Sequence, residues 1–335
     1  MKITDFDFSL PESLIAKRPQ KDRTGSRLLV LHRDGTVIHS LFSDFPSYLN
    51  PGDMLLLNNT KVFPARITGF KKSGGAIEML LVRKTGDDSW EVLTKGNFTG
   101  NLHISDELQV ELVNGKTAKF VCQGDFREII WKYGSMPLPP YIKRIPDETD
   151  KETYQTVFAK EEGSIAAPTA GLHFTESLLR EIVRKGIILR ELTLHVGIGT
   201  FKPIRADHVQ DHVMDTEYFE MDAELLSEIA KTKALGRRIV SVGTTTTRTL
   251  EGCMSGNCEM LSLNGILRGT TGIFIYPGYS FRAIDSLVTN FHLPRSTPLM
   301  LVSALCGFNT LMKAYKEAIA EGYRFLSYGD AMLIL

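Results

Sequence analysis

The sequence predicts a large α/β domain, with a mostly parallel sheet flanked by helices, into which an all-β, barrel-like domain is inserted. The chain has 335 residues, which is long for a single hydrophobic core. Residues from about 67 to 131 read as short β-rich runs separated by turns, whereas later residues alternate between strand-like and helix-like segments. We therefore expect the large domain at 1–65 and 151–335 and the inserted domain at 66–150.

The inserted domain is predicted from its β-rich runs and its turn signals. Asn114-Gly115 is a strong signal for a two-residue hairpin turn. Prolines at the end of the domain predict a stiff, extended exit, and they are Pro137, Pro139, Pro140 and Pro146. No helix pattern is evident, and the segments interpreted as strands are AIEMLLVRK, SWEVLTKG, ELQVELVNGKTAKFVCQG and FREIIWKYG.

Strand and helix signals alternate in the large domain. Thr175 can cap a helix that stops at Gly186, and Asp222 can cap a second helix that stops at Gly236. Two further helices are predicted in STPLMLVSALCG and LMKAYKEAIAEG. The strand-like segments are RLLVLHR, GDMLLLNN, GIILRELTLHVG, RRIVSVG, TGIFIYPGY and DSLVTNFHLP. This alternation is typical of a mostly parallel sheet covered by helices.

Composition excludes several classes of protein. The net charge is zero and the pI is about 7.1, which argues against a globally basic nucleic-acid binder but allows a local basic patch. No run is long and apolar enough to span a bilayer, and the first residues lack a secretion signal, so a cytoplasmic protein without a membrane partner is expected. The four cysteines show no zinc-ligand spacing. No long apolar surface stripe requires a partner subunit, so we expect a monomer.

The segment SVGTTTTRTLE contains the first candidate site. A strand leads into Thr244, Thr245 and Arg248, where the N-terminus of a helix would place N–H groups, hydroxyls and a cation together. That combination suits a carboxylate or a phosphate. The spacing matches neither a P-loop nor a dinucleotide-binding fingerprint. The alternative is a set of helix-capping threonines beside an exposed arginine.

Two more candidates lie at the ends of predicted strands, where ligands bind in α/β sheets. His195 ends one strand, and Gly197 after it lets the backbone approach a ligand closely. Alone, His195 is better explained as a hydrogen-bonded core histidine than as a catalyst. In DSLVTNFHLP, Asp285 begins the strand, while Asn290 and His292 end it.

Other polar residues follow the same scheme. Tyr328 and Asp330 flank a glycine near the C-terminus, which fits either a polar pocket or an ordinary turn. His173 precedes a predicted helix, whose dipole would lower the pKa of the imidazole and keep it neutral and able to act as a base. Alternatively, His173 caps the backbone of its neighbours. The segment DHVMDTEYFE shows no metal-ligand pattern, so no metal site is expected.

Read together, these motifs resemble the S-adenosylmethionine:tRNA ribosyltransferase-isomerase family of queuosine biosynthesis. The blocks that carry the resemblance are AAPTAGLHFT, LHVGIGTFKPI, VGTTTTRTLE, TNFHLPRSTPLMLVSALCG and YRFLSYGDAMLI, together with FDFSLPESLIAKRPQKDRTGSRLLVL and LLLNNTKVFPARI. They cover nearly the whole chain and are weakest at about 70–130. The resemblance implies an α/β domain with a β-barrel domain, in agreement with the pattern above.

The resemblance also implies a reaction. Such enzymes join the ribosyl part of S-adenosylmethionine to 7-aminomethyl-7-deazaguanine at the wobble position of tRNA, giving epoxyqueuosine and releasing adenine and methionine. S-adenosylmethionine is then a co-substrate, no cofactor or metal is needed, and tRNA is the partner. The acidic C5′ hydrogens beside the sulfonium require a base, and the departing adenine requires a proton donor.

Roles for individual residues follow from the resemblance as hypotheses. The candidate bases are His173 and His195. A carboxylate or RNA phosphate would be held by Thr244, Thr245 and Arg248. Ribose hydroxyls or adenine would be oriented by Asp285, Asn290 and His292. Tyr328 and Asp330 would close the pocket, and Thr169 and Gly197 would also contact substrate. RNA phosphates would be contacted by Arg18, Arg23 and Arg27.

Two rival functions remain at this point. An S-adenosylmethionine-dependent RNA methyltransferase would have a glycine-rich loop after its first strand and an acidic residue ending its second, and neither is evident. A non-catalytic RNA-binding protein built on the β domain would alternate aromatic and basic residues along its strands. The aromatic residues of that domain are instead scattered, as core residues are, and they include Trp90, Phe98, Phe120, Phe126 and Trp131.

Overall fold

The computed structural model describes residues 1–197, 199 and 204–335. In chain order the strands are β1 (Arg27–Leu31), β2 (Val37–Leu41), β3 (Met54–Asn58), β4 (Thr60–Val62), β5 (Arg66–Phe70), β6 (Ala76–Lys84), β7 (Ser89–Thr94), β8 (Gly100–Ser105), β9 (Leu108–Val113), β10 (Thr117–Cys122), β11 (Glu161–Ser164), β12 (Ile188–Leu194), β13 (Glu217–Asp222), β14 (Ile239–Val242), β15 (Cys258–Leu263), β16 (Ile266–Thr271), β17 (Ser286–Asn290) and β18 (Ala331–Ile334).

The α-helices are α1 (Phe126–Tyr133), α2 (Asp150–Thr153), α3 (Glu176–Arg184), α4 (Leu225–Ala234), α5 (Thr244–Ser255), α6 (Thr297–Cys306) and α7 (Phe308–Ala320). Thr175 caps α3 by accepting a hydrogen bond from the backbone of Leu178, as its sequence predicts. Among the described residues, no helix combines the length and the apolar character needed to cross a membrane.

The large sheet has ten strands in the order β15-β16-β13-β12-β3-β14-β17-β18-β1-β2. Its centre, β12-β3-β14-β17, is parallel, whereas β17 pairs with β18 and β1 with β2 in antiparallel fashion. The prediction of a mostly parallel sheet is therefore wrong, and the sheet is mixed. One reason is the hairpin β15–β16, whose two-residue turn Asn264-Gly265 has positive φ at both residues and can join only antiparallel strands.

Three local predictions are also wrong. The segment FREIIWKYG contains helix α1, because Asp125 caps it and Ile129 and Ile130 turn toward the barrel core. In the segment TGIFIYPGY only Thr271 belongs to a strand, because it is the last residue of β16. Strand β16 pairs with β13 on one side and with β15 on the other. Asp222 does not cap α4, because its carboxylate accepts from the backbone of Glu224, before the helix begins.

The strands β5 to β10 form a closed antiparallel barrel filled by alternating apolar side chains. Helix α1 follows the barrel and contacts β11, which pairs with β4 in a separate two-stranded sheet. Arg127 and Trp131 on α1 both donate hydrogen bonds to Glu162 in β11. The helix therefore lies between the barrel and the rest of the chain.

The segment that leaves the barrel packs on the large domain. Met136, Leu138, Ile142 and Tyr154 share one buried cluster with Tyr328. This segment was predicted to be extended, but it contains a 3-10 turn at Pro140–Ile142 and the single turn α2. This hydrophobic cluster therefore joins the segment that leaves the barrel to the C-terminal part of the chain.

Asp150 in this segment is fully buried. Its carboxylate accepts two hydrogen bonds from the Arg144 guanidinium, at 2.7 and 2.5 Å, and others from the backbone of Asp147 and the hydroxyl of Tyr328. A buried carboxylate is tolerated only with such partners. The Asp150–Arg144 pair therefore fixes the path of the returning chain.

We expect Asp150→Ala to lower the free energy of unfolding by about 3 kcal/mol, because it removes the buried carboxylate that pairs with the largely buried Arg144 guanidinium. Urea unfolding followed by circular dichroism measures the change. Glu148→Ala is the matched control, since Glu148 is 86% exposed in its pair with Lys151 and should matter little. Equal losses in the two variants would contradict the structural role of Asp150.

Candidate active site

A cavity of about 110 Å³ opens at the carboxyl ends of β14 and β17. These strands are parallel neighbours, so the residues that follow them meet at one edge of the sheet. Five residues proposed from the sequence line this cavity, and they are Thr169, Thr244, Thr245, Asn290 and His292. Three separate segments of the sequence therefore converge on one site.

The four-threonine run forms the first turn of α5. Gly243 precedes it with φ of 89°, a conformation that favours glycine. The hydroxyls of Thr246 and Thr247 donate to the carbonyls of Val242 and Gly243, so these two threonines serve the backbone. The Thr245 hydroxyl is buried and has no hydrogen-bond partner among the described residues.

Arg248 is not the free cation expected from the sequence. It forms a buried ion pair with Glu217, whose other oxygen accepts from the backbone N–H of Gly197. The second terminal nitrogen of Arg248, Nη1, is buried and lacks a hydrogen-bond partner among the described residues. Arg248 shares a smaller cavity, of about 20 Å³, with Thr244 and Thr245. Two residues with unsatisfied donors thus line one small cavity near the helix start, where an anion could accept from both.

His173 lies behind the cavity wall. Its Nδ1 is 2.7 Å from the Ser26 hydroxyl, and its Nε2 is 3.0 Å from the Asn290 amide nitrogen. The Asn290 oxygen accepts from Thr169, so the amide donates to Nε2 and the ring carries its proton on Nδ1. Burial lowers the pKa of His173 to about 3, and the Arg324 and Arg23 guanidinium groups add to the effect. Burial, rather than a helix dipole, therefore keeps this ring neutral.

His292 lies in the cavity wall itself. Its Nε2 is 2.8 Å from the Thr289 hydroxyl, and its Nδ1 forms no hydrogen bond with any residue that the structure describes. Burial lowers the pKa of His292 to about 3, so the ring is neutral at pH 7. His292 thus has one unengaged nitrogen in a residue that contacts the cavity.

His195 is absent from the described cavity wall. Its Nδ1 is 2.8 Å from the Thr60 hydroxyl, and its ring stacks on Tyr218. Burial lowers its pKa. A Cβ at Gly163 would lie 2.7 Å from the His195 ring, so this glycine is needed to make room for the imidazole. The assignment of His195 as a base stays a prediction.

The prediction that Asp285 shares the pocket is wrong. Asp285 precedes β17, whereas Asn290 ends it, and five residues of strand separate the two by about 16 Å. The Asp285 carboxylate accepts from Lys233 and from the backbone of Ile239. It therefore fixes the amino ends of β14 and β17, at the opposite edge of the sheet from the cavity.

Tyr328 and Asp330 also lie outside this cavity. The Tyr328 hydroxyl bonds to Asp150, and the ring borders a separate small cavity beside His173. The Asp330 carboxylate accepts from the backbones of Arg27 and Arg324. Asp330 therefore holds strand ends together, and the prediction that it closes the pocket is wrong.

The three arginines proposed to contact RNA have protein partners. Arg18 is exposed and pairs with Asp147. Arg23 is half-buried and donates to the carbonyl of Gln155, and Arg27 lies 3.7 Å from the ring centre of Tyr323. All three thus contact other parts of the protein, and their role in RNA binding stays a prediction.

Some wall residues were not found from the sequence. Tyr141 and Tyr154 reach the cavity from the segment that returns from the barrel. The Tyr141 hydroxyl bonds to Ser327, while burial raises its pKa to about 12. The Tyr154 hydroxyl is buried without a partner among the described residues. No motif spacing marks either tyrosine, because each reaches the site only through the fold.

The fold and this cavity belong to a tRNA-modification family. Residues 3–334 match the family described as "Queuosine biosynthesis protein", and the chain is a member of it. A Thermodesulfovibrio yellowstonii protein named S-adenosylmethionine:tRNA ribosyltransferase-isomerase is 53% identical over 346 residues, with 100% of both chains covered. A Halothermothrix orenii protein of the same name is 49% identical over 350 residues, again with 100% of both covered.

A solved structure is also similar to this chain. The crystal structure of S-adenosylmethionine tRNA ribosyltransferase from Thermotoga maritima superimposes with a TM-score of 0.57 at 35% sequence identity. The match covers 99% of this chain and 100% of that one. The similarity therefore includes both the large sheet and the barrel.

Proposed function

We propose that this protein is an S-adenosylmethionine:tRNA ribosyltransferase-isomerase. It moves the ribosyl part of S-adenosylmethionine onto the aminomethyl group of 7-aminomethyl-7-deazaguanine at the tRNA wobble position. The product is epoxyqueuosine, and adenine and methionine leave. The observation that carries this proposal is the family membership over residues 3–334, together with full-length relatives that share this name.

The methionine carboxylate of S-adenosylmethionine binds at the start of α5. Thr245 Oγ1 and Arg248 Nη1 are the buried donors that lack partners, and the first N–H groups of the helix point the same way. Because Glu217 already balances the Arg248 charge, the site adds hydrogen bonds rather than a bare positive charge. A carboxylate that accepts these bonds would satisfy both donors.

Proton transfer takes place at His292. This ring contacts the cavity, is neutral, and has an unengaged Nδ1. The base that removes a C5′ hydrogen must reach the substrate directly. His173 could accept a proton at Nε2 only after Asn290 moved away, since the Asn290 amide occupies that position. We therefore assign His173 the role of positioning Asn290, which with Thr169 faces the ribose and adenine.

The reaction itself tests this function. Incubation of the protein with S-adenosylmethionine and tRNA carrying 7-aminomethyl-7-deazaguanine should release adenine and methionine in step with epoxyqueuosine formation. Chromatography of the small molecules and digestion of the tRNA measure both. The control is the same tRNA with guanine at the wobble position, which lacks the attacking amine. Formation of S-adenosylhomocysteine in place of adenine would instead indicate a methyltransferase.

Thr245→Val should raise the KM for S-adenosylmethionine about tenfold and change kcat less, because it removes a hydrogen bond to a charged group far from the reacting carbon. Steady-state adenine release measures both constants. Thr246→Val is the matched control on the same turn of α5, since its hydroxyl bonds only to the Val242 carbonyl. A similar rise in KM for the control would show that the effect comes from the helix and not from the ligand.

His292→Gln should lower kcat by about 100-fold or more, the usual range for loss of a general acid or base. His173→Gln should have a smaller effect of about tenfold, because it only loosens Asn290. Single-turnover adenine release with saturating substrates compares the two variants. The reverse order of effects would assign proton transfer to His173 and contradict the role given to His292.

A further inference from the structure

The two ends of the barrel carry opposite charge. Every strand pair of the barrel is antiparallel, so strand direction alternates along the chain and alternate turns lie at opposite ends. One end, which we call the basic end, is formed by residues 71–75, 95–99 and 114–116. These turns contain four lysines and no acidic residue, and the lysines are Lys71, Lys72, Lys95 and Lys116.

The other end, which we call the acidic end, is formed by residues 85–88, 106–107 and 123–125. Its turns contain five acidic residues and no lysine or arginine, and they are Asp87, Asp88, Asp106, Glu107 and Asp125. Two of these acidic residues have structural roles, because Asp125 caps α1 and Glu107 accepts a hydrogen bond from Lys132 on that helix. The acidic end therefore faces α1 and the large domain, and the basic end points away from both.

Direct contacts gather the three turns of the basic end around Phe98. The backbone N–H of Gly115 donates to the Phe98 carbonyl at 2.9 Å. The Lys71 ammonium lies 4.4 Å from the centre of the Phe98 ring, a cation–π contact. A Cβ at Gly115 would lie only 2.2 Å from the Gly96 carbonyl oxygen. The lysines of the three turns therefore belong to one continuous surface.

These lysines differ from three other cations of the barrel domain. Arg66, Arg83 and Lys132 each form an ion pair with a glutamate. By contrast, Lys72, Lys95 and Lys116 are exposed, and no ion pair involves them among the described residues. Phe70, which is 47% exposed, adds an aromatic surface beside Lys71. Unpaired cations next to exposed aromatic side chains suit a polyanion with rings, which is the chemistry of RNA.

We propose that the basic end of the barrel binds the phosphate backbone of the tRNA. The identity of this RNA rests on the proposed function. A six-residue strand is about 20 Å long and tilts in a barrel, so the basic end lies up to about that distance from the acidic end that faces the large domain. It contacts a part of the tRNA other than the wobble nucleotide in the cavity. With zero net charge over the chain, a local patch of this kind supplies the electrostatic attraction.

Paired variants test the proposal in the full-length protein. Lys95→Ala with Lys116→Ala removes two charges from the basic end. Lys84→Ala with Lys119→Ala removes two charges from exposed lysines elsewhere on the barrel and is the matched control. The Kd for tRNA is measured by filter binding between 50 and 300 mM salt, roughly the range in which phosphate contacts are resolved. Circular dichroism checks that both variants fold.

We expect the basic-end variant to bind tRNA about tenfold more weakly at low salt and to lower the slope of log Kd against log salt by about 1.5, the loss of two phosphate contacts. The control should retain the wild-type slope. Equal slopes in the two variants would overturn the proposal. Failure of the wild type to release adenine would overturn the proposed reaction instead, while the binding comparison would still decide where RNA binds.

Discussion

The parallel pairing of β14 with β17 is the interaction on which the site depends. The backbone N–H of Gly243 donates to the carbonyl of Val288 at 2.8 Å, and this bond extends the register of the pair to the end of both strands. The pairing of β14 with β17 places the first turn of α5 beside Asn290. Since a strand reverses every side chain when its register slips by one residue, the cavity exists only in this register. Asp285 secures the same pair from the opposite edge of the sheet.

Desolvation is the second constraint, and it acts on the histidines. His173 and His292 both have a pKa of about 3, in each case chiefly because of burial. Neutral imidazoles can donate and accept at once, which charged ones cannot. The two rings nevertheless differ in access, since one is enclosed by Ser26 and Asn290 while the other borders the cavity. Access to the cavity, rather than pKa, therefore distinguishes their roles.

The sequence predicts a good part of this arrangement, because motifs at strand ends report directly on strand polarity. Thr244, Thr245 and His292 follow buried strands, and all three line the cavity. Asp285 was misplaced because it was grouped with residues at the other end of its own strand. The Asn264-Gly265 turn is the hairpin signal that distinguishes the mixed sheet from a mostly parallel one.

Other parts of the site leave no local signal in the sequence. The hydrogen bond between Ser26 and His173 joins residues 147 positions apart. Tyr154 reaches the cavity only because the segment that leaves the barrel packs on the large domain. The pairing of Arg248 with Glu217 likewise depends on tertiary packing of α5 against β13. Pattern and propensity describe neighbours along the chain, so contacts of this kind become visible only with the fold.

The two chain connections between the barrel and the large domain lie side by side. Arg66 and Ser135 exchange backbone hydrogen bonds at 3.1 and 2.8 Å, so the chain enters and leaves the barrel at adjacent points. None of the described cavity wall lies between these two residues. Substitutions in the turns of the barrel therefore leave the residues of the cavity wall unchanged.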